Sequence, residues 1–582
     1  MKARHLLLLG AALSLFACHR PLKDGEYTLT VLSTNDVHGT WFDSTYVGNQ
    51  VRRSLFAINT YVDSVRVADG AENVLLVEVG DCLQGDNAAY YFNYVDTVSP
   101  HLFPRLLDYM KYDAVVWGNH DVETGHKVYD RVQRELTAKG IPFLAGNAIR
   151  NDNGKTYFPL YKIVNKGGLK IAILGYNNAN IKAWLAENIW SGMHFESILS
   201  RVQKDVDDVR AKEHPDVVIV GVHSATGEGN GNNPEAEGMD IFNAVQGVDW
   251  VLASHDHRPY VESRDTCAFM NSGSHSRYLA HGKMHIKVEG GKVVGKTFET
   301  DLIPVKASKA DPVMRATFQK EFETVREFIS QEVGHLNVPL ITRDAYRGVS
   351  SYVNLIHTIC LNSKPAQLSI AAPLTFDGNI PEGKLVFNDL FTLYPFENQL
   401  YVITMSGDEV RRYLEASYDR WVNTVSGPGD HVLKIIPRDN PRTQQKGWSF
   451  HGLSYNFDSV AGLNYTVDVT KPRGERVVIT TLADGTPFDL SATYNVAMTS
   501  YRASGGGNLL DEIGIDTDRI DERVVARYPE IRQLILNRLT EDPTIDWEEI
   551  SNPDYLGTWR FVPENLANKM IEDDMKLLFG KK

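Results

Sequence analysis

The sequence predicts an α/β protein with at least two cored units. Five aliphatic runs, Leu29–Leu32, Val74–Val79, Ala114–Trp117, Val217–Val222 and Val248–Ala253, have the length of buried strands and are bounded by Gly, Asn, Asp or Ser. Between them stand amphipathic segments such as Val51–Val67 and Ile198–Lys212, which read as helices, so strands and helices alternate. With 582 residues, 43% hydrophobic and 23% charged, the chain is long enough to bury more than one core.

The polar residues just beyond each run carry the chemistry. Asn35-Asp36-Val37-His38-Gly39, Gly80-Asp81, Gly118-Asn119-His120-Asp121, Gly221-Val222-His223-Ser224 and His255-Asp256-His257 lie at the carboxyl ends of successive strands, where α/β folds assemble sites. Each motif alone is weak, since Gly-Asp is an ordinary turn. Together they supply carboxylate, amide and imidazole groups from five loops, a donor inventory suited to two divalent ions of Zn, Mn, Fe or Co sharing one carboxylate. In Asp36-Val37-His38 an extended backbone directs both polar side chains to one face. His255-Asp256-His257 has the same spacing and serves both ions if the chain turns at Asp256. His120 is the candidate group for protonating a leaving alkoxide, because the ions supply the nucleophile but no proton. Glu123 lies one helical turn on, in reach of that imidazole; a solvated surface carboxylate is the alternative.

Composition excludes some functions. The net charge is −14 and no basic run lies beyond the termini, which argues against a duplex nucleic-acid surface. A small nucleotide is compatible, because two cations supply local positive charge. Lys2, Arg4 and His5 precede the apolar run Leu6–Phe16, so residues 1–18 read as an export signal. Leu15-Phe16-Ala17-Cys18 looks like a bacterial lipobox, which places the product in the periplasm or cell envelope, held to the membrane through a lipidated Cys18. A plain cleaved signal is the alternative. Cys82, Cys267 and Cys360 make neither a disulfide framework nor a zinc knuckle, and Cys82 is expected to be a buried thiol turned away from Asp81.

Residues 24–306 carry all the ligand motifs. Asp311 can cap a helix with Pro312 at its first position, and Phe318, Phe322, Val325 and Ile329 recur at helical spacing up to Gly334, so 307–338 reads as a linker helix. A second unit, 339–535, contains strands at Gln399–Thr404 and Val477–Thr481 and a helix at Asp408–Ala416. An extension, 536–582, carries a helix at Glu564–Leu578 and packs on the body or caps an edge.

The ordered ligand motifs resemble the calcineurin-like metallophosphoesterases of the 5′-nucleotidase family. The likeness continues through Ser369-Ile370-Ala371-Ala372-Pro373, Tyr394-Pro395-Phe396-Glu397-Asn398, Tyr455-Asn456-Phe457-Asp458 and Tyr501-Arg502-Ala503-Ser504-Gly505-Gly506-Gly507. It implies a four-layered αββα sandwich, a linker helix and a C-terminal nucleotide-binding α/β domain. It places Asp36, His38, Asp81 and His257 around one ion and Asp81, Asn119, His223 and His255 around the other. Phe396 and Tyr501 match the pair that sandwiches the base, Asn398 is suited to the base edge, and Gly505 and Gly506 let the backbone turn beside the ligand. At the position of Glu123 the family usually has Asp or Asn.

The wording of the C-terminal segments is similar to periplasmic 2′,3′-cyclic-nucleotide 2′-phosphodiesterase/3′-nucleotidases. The 5′-nucleotidases carry a Gly-Gly-Gly-Ile-Arg-type segment near Ala372, whose arginine helps to hold phosphate, and an aspartate aligned with Gly507 that binds ribose hydroxyls. This chain has Pro373-Leu374-Thr375-Phe376-Asp377-Gly378-Asn379 at the first place and glycine at the second. The resemblance therefore implies an exported enzyme that opens 2′,3′-cyclic nucleotides and removes the 3′-phosphate. A 5′-nucleotidase or nucleotide-sugar hydrolase is the alternative, and a non-catalytic nucleotide-binding lipoprotein the second. No protein partner is implied. Base and metal sites fall on different domains, so catalysis is expected to need domain closure.

Overall fold

The structure is a computed structural model describing residues 22–580 except 232, 428 and 441–444; the expected leader and Cys18 lie outside the described residues. Two six-stranded sheets stack in the N-terminal half. In the first, Gly25–Thr34, Val74–Glu78, Ala114–Val116 and Phe143–Leu144 run parallel, and Tyr278–Glu289 and Lys292–Pro304 extend it antiparallel. In the second, Ala268–Asn271, Trp250–Leu252, Val217–Val222 and Leu169–Tyr176 are parallel, and Tyr260–Ser263 and Tyr161–Lys166 close its edges antiparallel.

The aliphatic runs are continuous because the central strands are covered on both faces. Leu75, Val77, Ile171, Ile219 and Trp250 meet between the sheets. Val74, Leu76 and Val115 instead pack under helices Leu55–Asp69, Leu102–Met110 and His126–Ala138. Leu174, Val218 and Val220 pack under Val202–Glu213 and Gly238–Ala244. The order of layers is therefore αββα. Two helices start later than their apolar periodicity predicts. Val51 bridges Ser44 as an isolated β pair, so the first begins at Leu55. The Glu237 carboxylate accepts from the backbone N–H of Ile198 and Leu199, so the second begins at Val202.

Asp311 caps the connecting segment as its sequence predicts, accepting from Val313 N (2.8 Å) and Met314 N (3.1 Å). The expected single helix is two: Pro312–Thr317 and Gln319–Ile329. Phe318 leaves helical geometry between them while its ring packs on Tyr109 and Phe56. Gly334 ends no helix; it lies within strand Glu332–Leu336, paired with Gly383–Val386.

The second unit is built on a five-stranded sheet in the order Ser459–Ala461, Leu368–Ala371, Thr493–Thr499, Gln399–Ser406 and Val524–Glu530. Helix Gly407–Trp421 packs against it, started by a capping box in which Ser406 and Glu409 satisfy each other's backbone N–H groups. Residues beyond 536 supply strands to this unit. Thr544–Ile545 lies parallel to Glu332–Leu336, and Gly557–Val562 lies parallel to Leu463–Asp468, with helix Glu564–Phe579 following.

Aromatic and ionic contacts join the halves. Phe328 of the connecting helix packs on Tyr91 (5.2 Å) and Phe387 (4.4 Å). Tyr94 donates to Glu397 at 3.2 Å, and the buried Arg532 lies over the Phe391 ring with its guanidinium 3.8 Å from Glu397. Among the described residues, no helix is long and apolar enough to cross a membrane.

Candidate metal centre and nucleotide cleft

Five of the seven predicted ligands have a left-handed backbone: Asp36 (φ 48°), His38 (45°), Asp81 (60°), His255 (73°) and His257 (57°). Such a conformation costs a non-glycine residue about 1–3 kcal/mol and persists where a site over-determines it. It also corrects the expectation of an extended Asp36-Val37-His38. The segment arches over the neighbouring loop, with Asp36 N donating to Gly80 O and His38 N to Asp81 O, and this curl brings the two side chains together. Gly80 (φ 89°) is required there: a Cβ would lie 2.5 Å from His223 Nδ1.

Two donor groups result. Asp36, His38 and His257 form one; Asp81, His223 and His255 form the other, and within each group the ligand atoms all lie within 4.8 Å of one another. Asn119 belongs with the second, its Oδ1 2.9 Å from both His223 Nε2 and His255 Nδ1. The groups are neighbours, for His255 N of the second donates to Asp36 Oδ2 of the first at 3.0 Å and His38 feels the charge of Asp81. His255-Asp256-His257 thus delivers one histidine to each group. Asp256 turns away to accept from Thr226 N and Asn271 Nδ2.

The donor chemistry fits divalent ions. Asp36 Oδ1 is buried without a hydrogen-bond partner, while Oδ2 is held by Asn35 and by His255 N. An orphaned buried carboxylate oxygen among imidazoles is strongly unfavourable unless a cation meets it. His223 Nδ1 lies 2.8 Å from Val79 O, and His38 Nδ1 3.2 Å from Gln84 Oε1. With those nitrogens protonated, each Nε2 presents its lone pair inward. Burial, assisted by neighbouring histidines and opposed by Asp81, pulls His255 down to about 3 and His257 to about 4, so both rings are neutral donors. Burial also lowers His223, but Asp81 outweighs it and holds the ring up at about 9. A proton there does for Asp81 what a cation would do.

Asp121, a member of the third motif to which the sequence reading gave no role, binds the loops together. Its carboxylate accepts from Gly118, Asp81, Cys82 and Leu83 N at 2.8–3.0 Å. Cys82 itself is a fully buried thiol whose acidity is suppressed by burial and by Glu78.

His120 projects beside the donor groups, its ring 5.4 Å from that of His38 and its backbone N–H bonded to Asp81 Oδ1. Glu123 is no surface carboxylate: its side chain is 9% exposed and meets His120 Nδ1 at 2.5 Å. Burial lowers the imidazole, yet Asp81 and Glu123 together raise it to about 10. Two rings absent from the sequence reading flank the ligands. Trp184 stacks on His255 at 5.2 Å, and His275 stacks on His38 at 5.1 Å. Neither lies in a ligand motif, and no spacing marked them.

In the second unit Phe396 and Tyr501 are half-buried, and Phe396 packs edge-on against Tyr455 at 5.8 Å. Gly506 packs closely against Tyr501, where a Cβ would come within 2.5 Å of ring carbons. The backbone carbonyl of Asn398 accepts from Ile531 N, beside the domain junction. Buried Arg502 ties two of the characteristic segments, pairing with Asp458 at 2.9 Å and donating to Asn456 Oδ1 and Tyr455 O. It also fills the space at Gly507 (φ 74°), where a Cβ would meet Arg502 Nη1 at 2.3 Å and Asn456 Oδ1 at 2.7 Å.

This architecture and donor set match known families. Residues 29–259 fit the calcineurin-like phosphoesterase domain, and residues 332–512 fit the 5′-nucleotidase C-terminal domain. The chain belongs to the calcineurin-like phosphoesterases that carry a 5′-nucleotidase C-terminal domain, a family of metal-dependent phosphoric ester hydrolases. It is 25% identical to the 2′,3′-cyclic-nucleotide 2′-phosphodiesterase/3′-nucleotidase of Haemophilus influenzae, over 97% of this chain and 92% of the relative. It is 23% identical to the trifunctional nucleotide phosphoesterase of Bacillus subtilis over 94% of this chain, but spans only 40% of that longer protein. The fold is shared with a 5′-nucleotidase homologue from Staphylococcus aureus (TM-score 0.74, 20% identity, 92% of this chain and 99% of that one). It is also shared with the 5′-nucleotidase precursor of Thermus thermophilus (0.57, 19%, 92% and 100%).

Proposed function

We propose that the chain is a two-metal nucleotide phosphoesterase that opens 2′,3′-cyclic nucleotides and releases the remaining 3′-phosphate. One observation favours this reading over a 5′-nucleotidase: the space at Gly507 is filled by Arg502 and Asn456, so an aspartate for ribose hydroxyls has no room. The segment 373–379 agrees. Arg343, which the fold brings beside it, is bidentate to Asp377 and lies over the Phe579 ring, so it is committed elsewhere.

In this reading Asp36, His38, Asp81 and His257 hold one divalent ion and Asp81, Asn119, His223 and His255 the other, with Asp81 shared. When bound, the ions supply the Lewis acidity and positive charge that phosphoester hydrolysis requires. Phe396 and Tyr501 clasp the base and so present the phosphorus to the ligand loops. His120 gives its Nε2 proton to the departing ribose oxygen. Glu123 fixes the ring by its hydrogen bond at Nδ1 and stabilises the charged form of the imidazole. Export, with anchoring through a lipidated Cys18, belongs to the same proposal and rests on the Leu6–Phe16 run and the segment that follows it.

The deciding experiment is phosphate release from 2′,3′-cyclic AMP, 3′-AMP and 5′-AMP with and without chelator; for the cyclic substrate the opened 3′-monophosphate is followed as well. Higher kcat/KM for the first two, abolished by chelation, is expected. Preference for 5′-AMP would replace this reading with the 5′-nucleotidase one.

A further inference from the structure

Gly507 brings no carboxylate for the sugar, but the N-terminal domain has one, Glu235, within electrostatic reach of Tyr501. Glu235 stands between strand Val217–Val222, which delivers His223, and helix Gly238–Ala244. Its carbonyl is held by Ala225 N (2.9 Å), Ser224 Oγ (3.1 Å) and Asn178 Nδ2 (3.3 Å). The carboxylate accepts at 2.7 Å from Asn180 Nδ2, just before helix Ile181–Trp184, whose Trp184 favours the charged carboxylate and stacks on His255.

Tyr501 of the second unit lies near enough to Glu235 to feel its charge. That phenol is raised first by burial, and Glu235 adds to the shift against the pull of Arg502. His255, Trp184 and Glu235 therefore lead away from the candidate ligands, and Tyr501 lies within reach of the charge of Glu235. A nucleotide with its phosphate at the first and its base at the last must lay its sugar along the middle. Glu235 is partly buried, and among the described residues no Lys, Arg or His pairs with it. Its partners are neutral donors, which leave carboxylate lone pairs free to accept from a hydroxyl. A half-buried negative charge also repels a second phosphate strongly, because water screens it poorly.

We propose that Glu235 is a specificity-determining residue of the cleft: it accepts a hydrogen bond from a free ribose hydroxyl of a 3′-phosphorylated or 2′,3′-cyclic nucleoside and rejects nucleotides that also carry a 5′-phosphate. The substrate class is thus a nucleoside phosphorylated on one side only. The inference rests on the proposed 3′-side chemistry.

The test compares kcat/KM for 3′-AMP and adenosine 3′,5′-bisphosphate in the metal-loaded wild type and in Glu235→Gln, which removes the charge at nearly constant size. The wild type should prefer 3′-AMP by about tenfold or more, and Glu235→Gln should shrink that preference at least about fivefold. Adenosine, used as a competitive inhibitor without phosphate, should bind Glu235→Ala about fivefold or more weakly than wild type. The loss of turnover on bis(p-nitrophenyl) phosphate, which has no sugar, should be much smaller than on 3′-AMP. An unchanged preference in Glu235→Gln, or equal losses on nucleotide and aryl ester, overturns the role of Glu235 alone. A wild type inactive on 3′-AMP but active on 5′-AMP overturns the 3′-side reading, and this inference with it.

Discussion

Glu123 Oε2 lies 2.5 Å from His120 Nδ1, one helical turn away and largely shielded from water. The contact fixes which imidazole nitrogen faces the cleft and favours the charged ring, and both properties suit a proton donor to a leaving alkoxide. His120→Gln should lower kcat by about 10²–10⁴-fold with metal content intact, and Glu123→Gln by a smaller factor of about 10. Both losses should shrink for p-nitrophenyl esters, whose phenolate departs without a proton. Steady-state kinetics beside metal analysis checks this. Equal losses for good and poor leaving groups would move His120 to phosphoryl binding.

Asp81 of the second donor group pairs with His223 at 3.1 Å and raises His38 of the first by its charge. Asp81→Ala should therefore empty both metal positions, whereas His38→Ala should weaken one. Metal-to-protein ratios after gel filtration measure the difference. An Asp81→Ala protein that retains two ions per chain would refute the shared ligand.

Asp121 receives four backbone N–H groups from two ligand loops. Asp121→Ala leaves these buried donors without an acceptor, at about 1–3 kcal/mol for each one that water cannot reach. Urea denaturation of the metal-free protein should show a loss of at least about 3 kcal/mol, and Asp121→Asn should recover part of it. A neutral effect would mean that the loops are held by other contacts.

The ligand loops were legible because each sits at the end of a strand buried on both faces, so polar residues there stand out against aliphatic runs. The αββα layering follows from the same runs. Their geometry was not legible: five left-handed ligands replace the extended Asp-x-His, because backbone bonds to the Gly80-Asp81 loop curl the segment. Trp184, His275 and Glu235 carry no local signature and come to the site only through long-range packing. The connecting helix was readable in its cap, Asp311, but its break at Phe318 depends on aromatic contacts with Phe56 and Tyr109 that periodicity does not encode.

In the proposed function Tyr501 offers one face to the base. Losing a stacking face costs roughly 1–3 kcal/mol, about 5- to 150-fold in KM. Tyr501→Ala should show that loss for 2′,3′-cyclic AMP and a much smaller one for bis(p-nitrophenyl) phosphate. Equal changes for both would place Tyr501 in the fold rather than in recognition.

The domain junction should respond to pH. Burial raises Glu397 to about 7 against the opposing pull of Arg532, and burial with the charge of Glu397 raises Glu530 to about 8. Both carboxyls hold protons in the folded junction at pH values where an unfolded glutamate, near 4.5, has lost its own. The folded state therefore binds more protons, and stability must fall as pH rises from about 4.5 through about 8. Tyr94 of the first domain donates to Glu397 and, with Arg532, favours the charged carboxylate, so these contacts limit the loss without cancelling the cost of burial. Melting temperature against pH measures the slope. Glu397→Gln keeps a neutral group in place and should flatten the upper part of the slope. A Gln variant with the wild-type slope would assign the pH dependence to other groups.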